Sequence, residues 1–188
     1  MLPKLNIEMQ DFLAPTAGRL PSNRSDIYFK ELGSESPILV KLIMQSIYQS
    51  DKRRIKHIGA QQFGMKFLLR GLYAHNGLFY FYTRIDNDTN MSFDVDFVTF
   101  KVVDKKVAKR TAMQEQVLQP LRAYHQLLEV KANDNERGVF VLEQFSLSQD
   151  KELQVTLYER GGGRTLSFSL DQEDLLLAQK IDKLKLKW

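Results

Sequence analysis

Apolar side chains recur with two different periods along this chain, and the change between them divides it. Leu39, Ile43 and Ile47 fall at helical spacing, with Val40, Met44 and Tyr48 beside them, so a broad apolar stripe runs down one face. Ser36 is a good N-cap, and Pro37 suits the first helical position, where an amide would be unbonded anyway. The spacing predicts a helix from Pro37 to about Ser50, ending before the basic run Lys52-Arg53-Arg54. Residues 1–33 lack such a period. Pro3, Pro15, Pro21 and the stretch Thr16-Ala17-Gly18-Arg19 predict an extended lead-in.

After Lys56 the period becomes two. Met65, Phe67, Leu69, Gly71 and Tyr73 alternate with a more mixed set, His75-Asn76-Gly77 signals a turn, and Leu78 to Ile85 is rich in aromatic residues. Together these predict a hairpin. Phe93, Val95 and Phe97 alternate on one phase and Val98, Phe100 and Val102 on the other, which a β-bulge near Phe97–Val98 reconciles. Gly138 to Phe145 reads as a further strand. Leu153, Val155 and Leu157 alternate with Gln154, Thr156 and Tyr158, and Gly161-Gly162-Gly163 turns the chain into Leu166, Phe168 and Leu170. Asp171 is placed to cap a short helix from Leu175 to about Ile181. Seven or eight strands with frequent turn signals, and no regular alternation with helices, predict a mainly β fold. The expected architecture is an Ig-like antiparallel β-sandwich with an N-terminal helix and a short C-terminal helix. Residues 1–54 are expected to form the extended segment and helix packed on the sandwich, and residues 55–188 the sandwich with its C-terminal helix.

Composition narrows the chemistry more than the fold. The chain has 188 residues, 43% apolar and 27% charged, which suits a single globular domain and excludes wholesale disorder. It has no cysteine, so disulfides, thiolate metal sites and a cysteine nucleophile are excluded. No apolar run approaches the ~20 residues of a membrane-spanning helix. The residues after Lys4 show no export core, which predicts a soluble chain that is not exported. The net charge of +4 is mild and spread out, permitting nucleic-acid binding without arguing for it.

Each candidate site has a plainer structural explanation. Asp86, Asp88 and Asn90 begin a calcium-loop spacing, but Met91 and Phe97 occupy the positions that need Gly and Glu. Asx residues in a turn account for the loop. Asp94 and Asp96 share one face of a strand as acid–base carboxylates do, yet their apolar neighbours predict solvated or Lys-paired side chains. His57, His75 and His125 fall at no metal-ligand spacing, no nucleophile elbow accompanies the serines, and the triple glycine lacks the Lys-Ser/Thr of a phosphate loop. Catalytic, cofactor-binding and metal residues are therefore not assigned, and a non-enzymatic protein is expected. Two basic clusters remain, Lys52, Arg53, Arg54 and Lys56, and Lys101, Lys105, Lys106, Lys109 and Arg110. Both suit a solvated or protein-binding face, and both would serve a DNA-binding accessory protein. Tyr73, Tyr80, Tyr82 and Trp188 leave open a small-ligand or carbohydrate-binding module, although strand aromatics are more often core.

Several longer segments carry a resemblance. The stretch FDVDFVTFKVVDKKVAKRTAMQEQVLQP, preceded by LNIEMQDFL, IYFKELGSESPILVKLIMQSIY and IKHIGAQQFGMKFLLRGLYAHNGLFYF, resembles the TraN family of Bacteroides-type conjugative transposons from about Leu5 to Leu170. The resemblance implies a structural part of a conjugative, type IV secretion-like envelope apparatus, located in the periplasm or at the outer membrane. Its partners would be other conjugation proteins, with membrane contact only through them, no small-molecule substrate and no cofactor. Self-association stays open, and nucleic acid is the weaker alternative. Family members carry an export signal and a β-rich region ahead of this part, whereas this chain starts at Met1-Leu2-Pro3. Within the matched stretch, Asp104, Lys105, Lys106, Lys109 and Arg110 are the expected protein interface.

Overall fold

The computed structural model describes residues 35–105 and 115–181. In chain order these form α1 (Pro37–Ser50), β1 (Gly59–Gln62), β2 (Met65–His75), β3 (Leu78–Asn87), β4 (Phe93–Asp104), β5 (Gln116–Leu118), β6 (Arg122–Tyr124), β7 (Glu129–Val130), β8 (Asp134–Glu143), β9 (Lys151–Glu159), β10 (Thr165–Leu170), α2 (Gln172–Leu176) and β11 (Gln179–Lys180). One sheet has the order β1-β2-β3-β8-β6, with β11 added in parallel to β2. The other has the order β10-β9-β4-β5, with β7 also on β4. All pairings except that of β11 are antiparallel. The fold is mainly β, an antiparallel sandwich with an N-terminal and a short C-terminal helix.

The turns follow from their residues. Asn76 and Gly77 both take positive φ, 41° and 75°, the twist that a two-residue hairpin between β2 and β3 requires. No atom lies within 4 Å of a Cβ added at Gly77, so its role is conformational rather than steric. The triple glycine forms the open tip between β9 and β10.

The centre of the first sheet is buried on both faces, and β3 shows how its sequence achieves this. Phe79 and Phe81 enter the core between the sheets, where no polar group needs a partner. Tyr80 and Tyr82 point the other way, under α1. β8 repeats the division, with Phe140 and Leu142 on the inter-sheet side and Val139 and Val141 on the helix side. Such two-sided burial gives continuous apolar runs instead of alternation. In β2 a bulge between Leu69 and Gly71 changes the phase, so Met65, Phe67 and Leu69 face the inter-sheet core while Tyr73 faces α1. The bulge leaves the carbonyl of Arg70 free to accept from the amides of Arg54 (2.7 Å) and Ile55 (3.0 Å). With β1 and β11, this segment covers the outer edge of β2.

Val40, Ile43, Met44 and Ile47 are the buried stripe of α1. The helix ends as expected, with Asp51 in the left-handed region (φ 44°). The Asp51 carboxylate accepts from the Tyr82 hydroxyl at 2.5 Å and pairs with Arg137 at 2.8 Å and Arg70 at 3.3 Å. Arg70 also donates to the Asp51 carbonyl (3.0 Å), a favourable place for a cation at a helix C-terminus. The Arg137 guanidinium lies 4.5 Å from the centre of the Tyr48 ring, which stacks on His125 at 4.1 Å. The last turn of α1 is thus fastened to the sheet by charge as well as by apolar contact.

Several expectations need correction. The β4 bulge lies between Val95 and Phe97, so Asp96 is the extra residue, not the Phe97–Val98 pair. β8 starts and ends earlier than the apolar run Gly138 to Phe145, because its first residues are polar yet continue the ladder with β3. The second helix spans Gln172–Leu176, not Leu175 to Ile181. Asp171 does cap it, through a reciprocal box with Asp174. Ala178 then leads into β11. Eleven strands form among the described residues, because β1, β5, β6, β7 and β11 are too short to show a period.

Candidate functional site

The second sheet has one split edge, produced by the path of residues 116–130. β5 pairs with Phe100, Lys101 and Val102 of β4. Pro120 then interrupts the run; it has no amide to continue a ladder. The chain crosses to the first sheet, where the Leu121 amide donates to the Val141 carbonyl (2.7 Å) and β6 pairs with β8. His125 turns it back with φ 51°. The Val95 amide donates to the Leu128 carbonyl (2.8 Å), and β7 rejoins β4 at Phe93 and Asp94. Gly138 lies beneath this crossing, and a Cβ there would stand 2.9 Å from the His125 carbonyl oxygen.

The detour leaves Asp96 to Thr99 of β4 without a ladder partner on that side among the described residues. Between this stretch and β6 lies a cleft of about 220 Å³. Val95, Ala123, Leu127 and Phe140 contribute its apolar wall, and Asp96 and Gln126 its polar rim. Phe97, Val117 and Leu128 flank this edge with 49%, 50% and 51% of their surface exposed. The Phe97 ring packs against Tyr158 at 4.7 Å. A half-exposed apolar rim around an unpaired strand edge is unusual, since edges are normally blunted by charge or cover.

Asp94 of β4 and Glu129 of β7 sit directly opposite each other in register, and both are exposed. Like charges in that relation repel. Asp96, also exposed, adds a third carboxylate at the rim. None of the three has an ion-pair partner within 4 Å among the described residues. The Arg160 amide bonds the Asp94 carbonyl, but its guanidinium is directed to the Val95 carbonyl at 3.4 Å.

The residues singled out from the sequence fall elsewhere. Asp104 pairs with Lys151 at 3.2 Å and Lys105 with Asp171 at 3.9 Å, so both are engaged within the chain. Lys106, Lys109, Arg110 and Trp188 lie outside the described residues. Lys101 pairs with Glu115 at 2.9 Å. Lys52, Arg53, Arg54 and Lys56 are exposed on the link between α1 and β1, where Arg53 donates to the carbonyls of Ile55 and Lys56. Tyr73, Tyr80 and Tyr82 are fully buried, which removes them as an aromatic platform for a sugar. The Asp86–Asn90 loop is organised by Asn87. Its carboxamide donates to the carbonyls of Met91, Val130 and Lys131 and accepts from the amide and hydroxyl of Thr89. His57 meets Asp174 at 3.4 Å, while His125 lies against Tyr48, so the histidines are not gathered. The split edge itself was missed, because residues 116–130 alternate for too few positions. Pro120 and the Leu127-Leu128 pair were its only signals.

Residues 37–180, from the first turn of α1 to the end of β11, match the model of a domain of unknown function, DUF4138. A comparison with curated proteins gave no match.

Proposed function

The chain belongs to the DUF4138 family, and from that premise we propose that it is a non-enzymatic scaffold of a conjugative transfer apparatus at the cell envelope. It acts by protein–protein association and makes or breaks no bond. The resemblance of its segments to the TraN family of conjugative transposons suggests the apparatus. The split edge carries the mode of action: an unpaired stretch of β4 beside an apolar cleft that half-exposed Phe97 lines, with half-exposed Val117 and Leu128 further along the same edge. Strand edges and apolar pockets are the usual means by which a β-sandwich holds an extended partner. The basic stretch with Asp104, Lys105, Lys106, Lys109 and Arg110 is a second proposed contact surface of the same assembly.

The test is transfer frequency from donor cells that lack the gene. Wild-type protein should restore transfer, and a Phe97→Asp/Leu128→Asp double variant of equal abundance should lower it at least tenfold. Charge reversal at Lys106 and Lys109 should lower it as well. Full transfer without the gene, or full rescue by every variant, would reject the proposal.

A further inference from the structure

We infer that the cleft beside Asp96–Thr99 seats one large apolar side chain from an extended, basic segment of a partner protein. The inference rests on the scaffold reading above and adds the chemistry of the partner. The size of the cleft sets the first limit. An apolar cavity of ~150 Å³ holds a benzene ring, so about 220 Å³ suits a single Phe, Trp, Leu or Met side chain and not a packed helix. The wall of Val95, Ala123, Leu127 and Phe140 offers such a side chain no polar partner, which makes an apolar one the fitting occupant.

The backbone sets the second limit. Between the point where β5 leaves β4 and the point where β7 returns, the β4 edge is open for only four residues. A short extended segment matches that length, with its own backbone groups meeting the unpaired ones of β4. Charge sets the third. Asp94 faces Glu129 across the strand pair, Asp96 stands at the rim, and their mutual repulsion falls when a cation approaches. Lys or Arg residues flanking the apolar anchor supply that cation. The same carboxylates argue against a second copy of this chain, because a two-fold contact at this edge would set the acidic cluster against itself. They argue equally against nucleic acid.

The experiment selects random nine-residue peptides, displayed on phage, on the full chain. The enriched peptides should carry one large apolar residue with Lys or Arg within three positions of it. Their binding should weaken at least tenfold in Ala123→Trp, which fills the cleft, and in the exposed double variant Asp96→Lys/Glu129→Lys. The double variant should keep the wild-type thermal midpoint or exceed it, since it removes a repulsive pair, so loss of binding there is not loss of folding. Absence of enrichment, enrichment of acidic or wholly polar peptides, or undiminished binding to the double variant would overturn the inference. The two proposals fail separately. Selective peptides combined with normal transfer by gene-deleted donors would reject the transfer role and keep the ligand class. Transfer that depends on the gene without peptide selectivity would do the reverse.

Discussion

Asp51 concentrates three demands in one residue: it ends a helix, pairs with two arginines and fixes a tyrosine hydroxyl. Burial alone would raise its carboxyl. The hydrogen bonds from Tyr82 and Arg137 and the charges of Arg70 and Arg137 outweigh that and hold it below the ordinary aspartate value. Burial, and then the hydrogen bond to Asp51, push the Tyr82 phenol up to about 12. The two shifts act at opposite ends of the pH scale. A depressed carboxyl contributes stability above its unfolded value, roughly 3.9, and loses it as pH falls through the folded value. A raised phenol contributes fully below its unfolded value, roughly 10, and loses it as pH rises toward the folded one. Urea unfolding of Asp51→Ala at pH 7 should show a loss of about 1–2 kcal/mol, less than for a fully buried site because Asp51 is partly exposed. The gap between wild type and Asp51→Asn should narrow only under acid, and that between wild type and Tyr82→Phe only above pH ~10.

At the scale of elements, legibility followed length and locality. α1 was readable to within a residue, because an N-terminal proline, an i, i+3, i+4, i+7 stripe and a following basic run agree. The β2–β3 hairpin was equally plain from Asn76-Gly77. The bulge in β4 was detectable as a phase change but not located, since alternation tells that a residue is extra without telling which. The second helix was displaced because Leu175, Leu176 and Leu177 look like one apolar run, whereas only Leu175 is buried. The strands of the split edge were illegible because long-range pairing, not local pattern, makes them strands. The stripe of α1 supplies its own test. Ile47→Ala, at a site with no exposed surface, should cost ~2–5 kcal/mol, while Ile38→Ala, largely exposed on the same helix, should stay within ~0.5 kcal/mol. Equal costs in urea unfolding would mean that the helix is not held by this face.

Across the whole molecule the two sheets differ in kind. The first lies between α1 and the second sheet and has no wet face from Leu78 to Thr83 of β3 and from Gly138 to Leu142 of β8. The second carries polar side chains, Thr99, Thr156 and Ser167, in register across three strands, of which Ser167 is exposed while Thr156 is buried and shares a hydrogen bond with the Ser167 hydroxyl at 2.9 Å. Its split edge is held by ladders of only three and two residues, so the proposed binding and the stability of the sandwich draw on different regions. Residues 116–130 carry both sheets' loose ends, with short ladders at β5, β6 and β7.

That division has a consequence for amide hydrogen exchange. The amides of β3 are paired on both sides and shielded on both faces, so they should exchange only when the whole molecule unfolds. Those of β5 and β7, anchored by two or three residues each, should open locally and exchange far sooner. A ligand seated in the cleft would slow exchange at Val117, Leu128 and Val130 and leave Phe81 unchanged. The molecule would thereby carry an internal clock: its slowest amides time global unfolding, while its fastest record whether the edge is occupied.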